Sequence, residues 1–335
     1  MNFSKVLGNA SVKKKGNEVK KLSILFIFIS MIWSSFTWAQ VDYCKRHPAV
    51  VKELEDKLKI KCSKMTHDNV LRIGTLEIWR NHNKTPFKSS DFTGLEHITY
   101  LTIASMNLYA EPGALKELKN LKGLKFSYLQ NEIPSVIFEG LEHLEMLILH
   151  ENDNMTKFGE SFLEGLDNLR YLHIRARVEN YGNYPFKALR FSYNLLENTP
   201  KLEEIYIKGR GLRYIPNGFF DYTPNLKSIG FYGDLIKVEE NLFKNLTELE
   251  KVYFIRYGAL ESPDLPDNIF ENNHKVSYLN ISWNYFWNLD RVLAPIRLTI
   301  DKVNICSTRY THQQIETLQV EFPQVEFYKE SCEIF

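Results

Sequence analysis

Nine times along this chain the pattern L-x-x-L-x-L returns, with Ile, Val or Phe standing in for Leu at some positions. The copies begin as Ile73/Leu76/Ile78, Ile98/Leu101/Ile103, Leu121/Leu124/Phe126, Leu144/Leu147/Leu149 and Leu169/Leu172/Ile174. They continue as Leu202/Ile205/Ile207, Leu226/Ile229/Phe231, Leu249/Val252/Phe254 and Val276/Leu279/Ile281, with starts 25, 23, 23, 25, 33, 24, 23 and 27 positions apart. A period of this size dictates a row of similar coils, because one copy cannot bury its own apolar face and a stack of copies can. A second marker keeps the same register: Phe92, Leu115, Phe138, Leu163, Leu196, Phe220, Phe243 and Phe270 each stand six residues before the next copy.

Each copy changes its rhythm midway. In FEGLEHLEMLILHEND (138–153) the apolar residues fall at intervals of three and then two, which neither a helix nor a strand sustains alone. The x-L-x-L half reads as a short strand with alternate residues inward, and the Phe-x-x-Leu before it as an outer return segment feeding the same interior. The fold class implied is an α/β solenoid with a concave parallel β-sheet and coil or short helix outside. On these residues the chain, over roughly 70–300, resembles the extracellular leucine-rich repeat proteins of animals, which carry L-x-x-L-x-L-x-x-N and a convex Phe. The resemblance implies a horseshoe of about nine repeats and a binding role of no fixed kind, since such solenoids serve as receptors, adhesion proteins, inhibitors and carriers. The family's Asn occurs here at Asn81, Asn152 and Asn284, while Met106, Leu129, Arg177, Arg210 and Tyr257 hold the same place elsewhere. An irregular stack is expected, with other groups satisfying the buried backbone.

The ends divide into a leader (1–39), an N-terminal cap (40–69), the solenoid (70–300) and a C-terminal cap (301–335). The leader is basic at Lys13, Lys14, Lys15, Lys20 and Lys21, then apolar and uncharged through LSILFIFISMIWSSFTWA, with Thr37-Trp38-Ala39 as a cleavage site. It reads as a secretory signal, with an uncleaved type II anchor on a receptor or adhesion ectodomain as the rival. In the first cap, Pro48 and the Val50/Val51/Leu54/Leu58 rhythm predict an amphipathic helix over 47–62. In the second, Thr311–Val320 reads as helix and 323–328 as a last strand.

The cysteines are Cys44, Cys62, Cys306 and Cys332. Strands at ~4.8 Å spacing separate the two ends by ~40 Å, and bridged Cα atoms lie within ~7 Å, so Cys44 pairs with Cys62 and Cys306 with Cys332. The sequons at Asn83, Asn154, Asn245 and Asn280 are glycosylation candidates in the secretory route. Lys+Arg 42 against Asp+Glu 41 leaves a net charge of +1, which supplies no field for nucleic acid or acidic lipid.

Function is expected on the concave side, where outward positions carry Tyr or Trp nine times and Phe never. Tyr and Trp pair an apolar ring with a polar handle, as recognition surfaces do, although tyrosines also cover one another on sheets. The candidate ligand-binding set is His150, Glu151, Tyr171, His173, Arg175, Tyr206, Lys208, Tyr232, Tyr253 and Arg256, an aromatic and basic mixture suited to an acidic or glycan-bearing protein partner. His150 and His173 alone make no metal site, and no cofactor is expected. The 33-residue spacing marks an insertion, 177–194, that reads equally as a binding loop or a neutral extra turn. No G-x-S-x-G, H-E-x-x-H or Gly-rich phosphate loop occurs, so the chain is expected not to be an enzyme. The expected function is a secreted protein binding an extracellular protein or glycoprotein, the alternative a noncatalytic structural subunit of a secreted complex.

Overall fold

Every copy of the motif forms a strand at its x-L-x-L half. The structure is a computed structural model that describes residues 41–79, 84–105, 107–129, 132–150, 157–176, 188–209, 211–256 and 265–329. The leader, Glu151, Asn83, Asn154, Cys332 and the insertion up to 187 lie outside these residues, as do Asn81 and Asn152. The strands are β1 (Thr75–Trp79), β2 (Tyr100–Ala104), β3 (Gly123–Ser127), β4 (Met146–His150), β5 (Lys157–Phe158), β6 (Tyr171–Arg175), β7 (Arg190–Phe191), β8 (Glu204–Lys208), β9 (Ser228–Tyr232), β10 (Lys251–Ile255), β11 (Tyr278–Asn280), β12 (Lys302–Asn304) and β13 (Glu326–Tyr328). Among the described residues, four α-helices accompany them: α1 (Pro48–Leu58), α2 (His67–Val70), α3 (Leu289–Leu293) and α4 (His312–Glu321).

Eleven strands form one parallel sheet in the order β1-β2-β3-β4-β6-β8-β9-β10-β11-β12-β13. Register follows the motif, so Leu124 pairs with Leu147, Leu147 with Leu172 and Leu172 with Ile205. The sheet runs two strands past the nine motif copies, and the second of these, β13, lies in the 323–328 segment that reads as a last strand. Ile300, Val303 and Ile305 make a further copy, with Val303 in register with Leu279, and Phe327 of β13 pairs with Val303. The segment assigned to a C-terminal cap therefore continues the stack.

The interior is one body. Phenylalanine rings touch in an unbroken chain from Phe126 through Phe138, Phe162, Phe158, Phe191, Phe219, Phe220, Phe231 and Phe254 to Phe286, with neighbouring centroids 5.1–6.4 Å apart up to Phe231 and 5.6 and 6.5 Å beyond it. Phe243 is its hub, stacked on Phe270 and Phe231 and near Phe220 and Phe254. The end of the insertion joins this core: Phe191 stacks on Phe158 at 5.1 Å, and β7 pairs in parallel with β5.

Side-chain amides and hydroxyls satisfy backbone groups between neighbouring coils. Asn284 donates from Nδ2 to Phe254 O at 2.7 Å, as the resemblance implies. A different ladder spans other repeats, in which Asn120, Asn168 and Asn225, each just before a copy begins, donate to Glu96 O, Glu142 O and Pro200 O. In the return segments Thr199, Thr223 and Asn273 are fully buried where other repeats carry Leu. Their hydroxyl and amide N–H groups donate to backbone carbonyls: Thr199 to Leu196 O, Thr223 to Phe220 O, and Asn273 Nδ2 to Phe243 O and Leu246 O.

A helix and a disulfide precede the first repeat. Helix α1 starts with Pro48 in its first turn behind an N-cap His47, buries Val50 and Leu54 against the first repeat, and is tied by Cys44–Cys62 with Cα atoms 5.2 Å apart. Glu53 Oε1 accepts from the Glu77 N–H at 2.9 Å, covering part of the outer edge of β1. Among the described residues, no helix is long and apolar enough to cross a membrane.

Candidate recognition surface

Parallel register turns outward positions into rows across the sheet. One runs Glu77, Thr102, Lys125, Ile148, His173, Tyr206, Gly230, Tyr253, Asn280, Asn304 and Tyr328. The two ends of this face differ in what their aromatic side chains do.

From β6 onward the tyrosines lie on each other. His173 meets Tyr206 edge-on at 4.9 Å, Tyr206 reaches Tyr253 at 5.8 Å, and Tyr253 reaches Tyr278 at 5.2 Å, while Tyr232 packs on both Tyr206 and Tyr253. The hydroxyls pair too: Tyr206 with Ser228 Oγ at 2.7 Å, and Tyr328 with Tyr278 at 3.0 Å. Burial pushes the Tyr206 and Tyr253 phenols above the usual range. Gly230 makes room for this ladder, since a Cβ there would stand 2.4 Å from Tyr206 Cδ1 and 2.6 Å from Tyr232 Cε2.

The ten proposed ligand contacts therefore fall into three groups. His150, Tyr171, His173, Arg175, Tyr206 and Tyr253 face outward and are half-buried. Lys208, Tyr232 and Arg256 are 8%, 6% and 3% exposed, so the expectation that they stand open does not hold. Neighbouring rings and strands cover them: Lys208 Nζ lies 5.9 Å from the Tyr232 ring centroid, and Arg256 turns in beside Asp234, Nε to Oδ1 3.9 Å, with burial lowering its pKa. Glu151 lies outside the described residues. Among the described residues no His, Cys, Asp or Glu cluster could hold a metal ion.

Asn280 also departs from expectation. It is 8% exposed, and its Oδ1 accepts from both Ser282 N and Ser282 Oγ, so a glycan shielding the ninth repeat has no open amide to grow from. Asn245 is exposed.

His173 gives a pH prediction. Its Nε2 is buried without a hydrogen-bond partner among the described residues, and burial lowers its pKa from 6.5. The unfolded chain then binds the extra proton first as pH falls, so His173 costs stability increasingly from about pH 6.5 downward and nothing above it. His173→Gln should flatten the decline of the urea midpoint between pH 7 and 5 relative to the parent; parallel curves would contradict this.

Large aromatics elsewhere on this side are open. Trp79, Tyr100, Tyr128 and Trp283 are 56%, 46%, 49% and 47% exposed. At the N-terminal ends of the strands, Lys122, Glu145, Arg170, Glu203, Lys227 and Glu250 alternate in sign, with Lys122–Glu145 at 3.1 Å, Arg170–Glu203 at 2.6 Å and Lys227–Glu203 at 3.5 Å. That rim neutralises itself and leaves little net field.

The BspA type leucine-rich repeat model matches residues 80–191 and 188–277, more than half of the chain, in six copies. The chain belongs to this BspA-type family. Among solved structures, the BspA-type chain is similar to one from the Toll–Spatzle complex of Drosophila, with TM-score 0.54 and 16% identity over 77% of this chain and 36% of that one. It is also similar to an internalin from Listeria monocytogenes, with TM-score 0.44 and 12% identity over 88% of this chain and 92% of that one. The chain thus spans about a third of the length of the Drosophila chain. A comparison with curated proteins gives no match. The leucine-rich repeat fold stands on the family match and the Drosophila structure, and the animal affiliation implied by the sequence resemblance is not shown by them.

Proposed function

We propose that this BspA-type protein is secreted and binds a protein or glycoprotein through the concave face of its sheet, performing no chemistry of its own. One observation carries the reading: Trp79, Tyr100, Tyr128 and Trp283 stand roughly half exposed on or beside the outward face, while the phenylalanines of the strands point in. Trp and Tyr in such positions are the residues most often found at the energetic centre of protein interfaces. Secretion is supported by the basic-then-apolar leader and by the Cys44–Cys62 bridge, which belongs to oxidising compartments. Cys306 with Cys332 is the corresponding second bridge of the proposal. The Toll chain, a fold relative, was solved in complex with Spatzle, which is consistent with such a scaffold holding a protein.

The test compares Trp79→Ala/Tyr128→Ala with a convex control, Tyr222→Ala, in retention of a partner from native extracellular fluid. Loss with the first variant alone supports the reading; loss with the control alone favours the structural-subunit alternative, for which the exposed Leu298 (96%) and Val320 (82%) near the end of the stack speak.

Secretion also predicts where sugar appears. A glycan is expected on Asn245 and none on Asn280, because a bulky sugar is compatible with the folded chain at exposed Asn245 but not at Asn280, which is 8% exposed and bonded to Ser282. Mass spectrometry of peptides from the exported chain before and after glycan removal checks this; an occupied Asn280 would contradict it.

A further inference from the structure

We infer that the concave face of the first four repeats docks a protein segment carrying a carboxylate flanked by apolar side chains, with Lys125 receiving the acid. The inference rests on the concave-face reading above and places its energetic centre away from the tyrosine ladder.

Gly123 and Lys125 are successive outward positions on β3. A Cβ on Gly123 would lie 2.3 Å from Tyr100 Cδ1 and 3.1 Å from Met146 Cε. A ring from β2 and a thioether methyl from β4 thus meet over the glycine and form an apolar floor directly beside the lysine. In register, Lys125 stands between Thr102 and Ile148, both uncharged. Among the described residues it makes no hydrogen bond or ion pair, whereas Lys122, on the rim of the same repeat, lies 3.1 Å from Glu145. The acid in the same row, Glu77, accepts from Trp79 Nε1 at 3.3 Å and stands two strands away.

The aromatic anchors are held in place. Tyr128 adopts φ 62, a left-handed conformation that a bulky residue keeps only where the surroundings enforce it. Its N–H donates to His150 O at 3.0 Å, and its ring meets the His150 ring edge-on at 6.0 Å. Trp79 and Tyr100 are open on the same face. An ammonium with no partner amid apolar surface attracts a carboxylate more strongly once docking excludes water. Ionic attraction selects the acid; the surrounding rings and methyls select the company it keeps. Trp79 to Ile148 spans three strand spacings, ~14 Å, the reach of about four extended residues. A purely anionic polymer would satisfy Lys125 and leave Trp79, Met146 and Ile148 facing charge, so a peptide chain fits better.

The probe is a random dodecapeptide library displayed on phage and panned on the full-length protein, with heparin as the anionic polymer. Recovered peptides should carry Asp or Glu between Leu, Ile, Phe or Trp, and should bind about tenfold or more weakly to Lys125→Glu and to Trp79→Ala while keeping their affinity for Lys125→Arg. Panning on Lys125→Glu should recover basic peptides instead. Unchanged urea midpoints confirm that these outward substitutions leave the fold intact, and Lys125→Gln replaces the glutamate variant if its midpoint moves. Acidic peptides that bind Lys125→Glu as well as the parent overturn the inference. If they instead lose binding to Tyr278→Ala, the concave-face reading stands without it; indifference to both concave variants overturns both. Heparin binding abolished by Lys125→Glu, with no acidic–apolar peptide recovered, overturns the assignment to a protein segment.

Discussion

Asp91→Ala is expected to lower the free energy of unfolding by about 3–5 kcal/mol, the range for breaking a buried, hydrogen-bonded charge cluster. Asp91 is 6% exposed in the turn between the first two repeats. Its Oδ1 accepts from His47 N at 2.6 Å and its Oδ2 from Lys88 N at 2.8 Å. Its carbonyl and that of Thr93 accept from Arg46, whose guanidinium packs 4.5 Å from the Tyr43 ring centroid and whose pKa is lowered by burial. Alanine strands two backbone N–H groups at ~1–3 kcal/mol each and removes the negative charge nearest a buried cation. Because this cluster ties α1 to the stack, the loss should expose the edge of β1 first. Urea midpoints at constant m give the energy, and amide exchange in 75–79 should accelerate more than in 251–255. Asp91→Asn keeps one acceptor and should cost about half as much. An Asp91→Ala midpoint equal to the parent's would refute the cap account.

Phe243→Ala should cost about 3–5 kcal/mol, the usual penalty for emptying a buried phenylalanine site. Phe243 has no exposed surface and lies within 6.5 Å of four other rings, Phe220, Phe231, Phe254 and Phe270. Those rings come from its own repeat and the two flanking it, so the cavity would loosen neighbours on both sides instead of one coil. Leu298→Ala, at a residue 96% exposed, should change stability by less than ~0.5 kcal/mol. Comparable losses for the two would contradict a shared interior.

The strands were legible because each motif copy alternates inward and outward, and the register follows once copies stack. The copy at Ile300 escaped because its second marker is absent: Ala294 and Arg297 stand where other copies carry Phe or Leu, and Pro295 lies between them. The alternative amide ladder through Asn120, Asn168 and Asn225 was visible as Asn just before a leucine, but its meaning depends on which carbonyl the neighbouring coil presents. The candidate surface was legible only in direction. Alternation states which face a side chain leaves from, not whether a neighbour lies over it. Gly230, unremarkable in sequence, lets Tyr206 and Tyr232 lie down on the sheet, and that closes much of the candidate ligand-binding set. Asn280 satisfied every sequon rule, and its burial depends on residues such as Ser282 that fold back on it.

The concave-face claim is met most directly by hydrogen–deuterium exchange of the chain alone and bound to a partner retained from extracellular fluid. Slowed exchange confined to strand segments and the loops that follow them, strongest across 75–79, 100–104, 123–128 and 146–150, is the predicted result. Slowed exchange on the outer return segments, such as 219–225 and 242–248, with those strands unchanged, would contradict it.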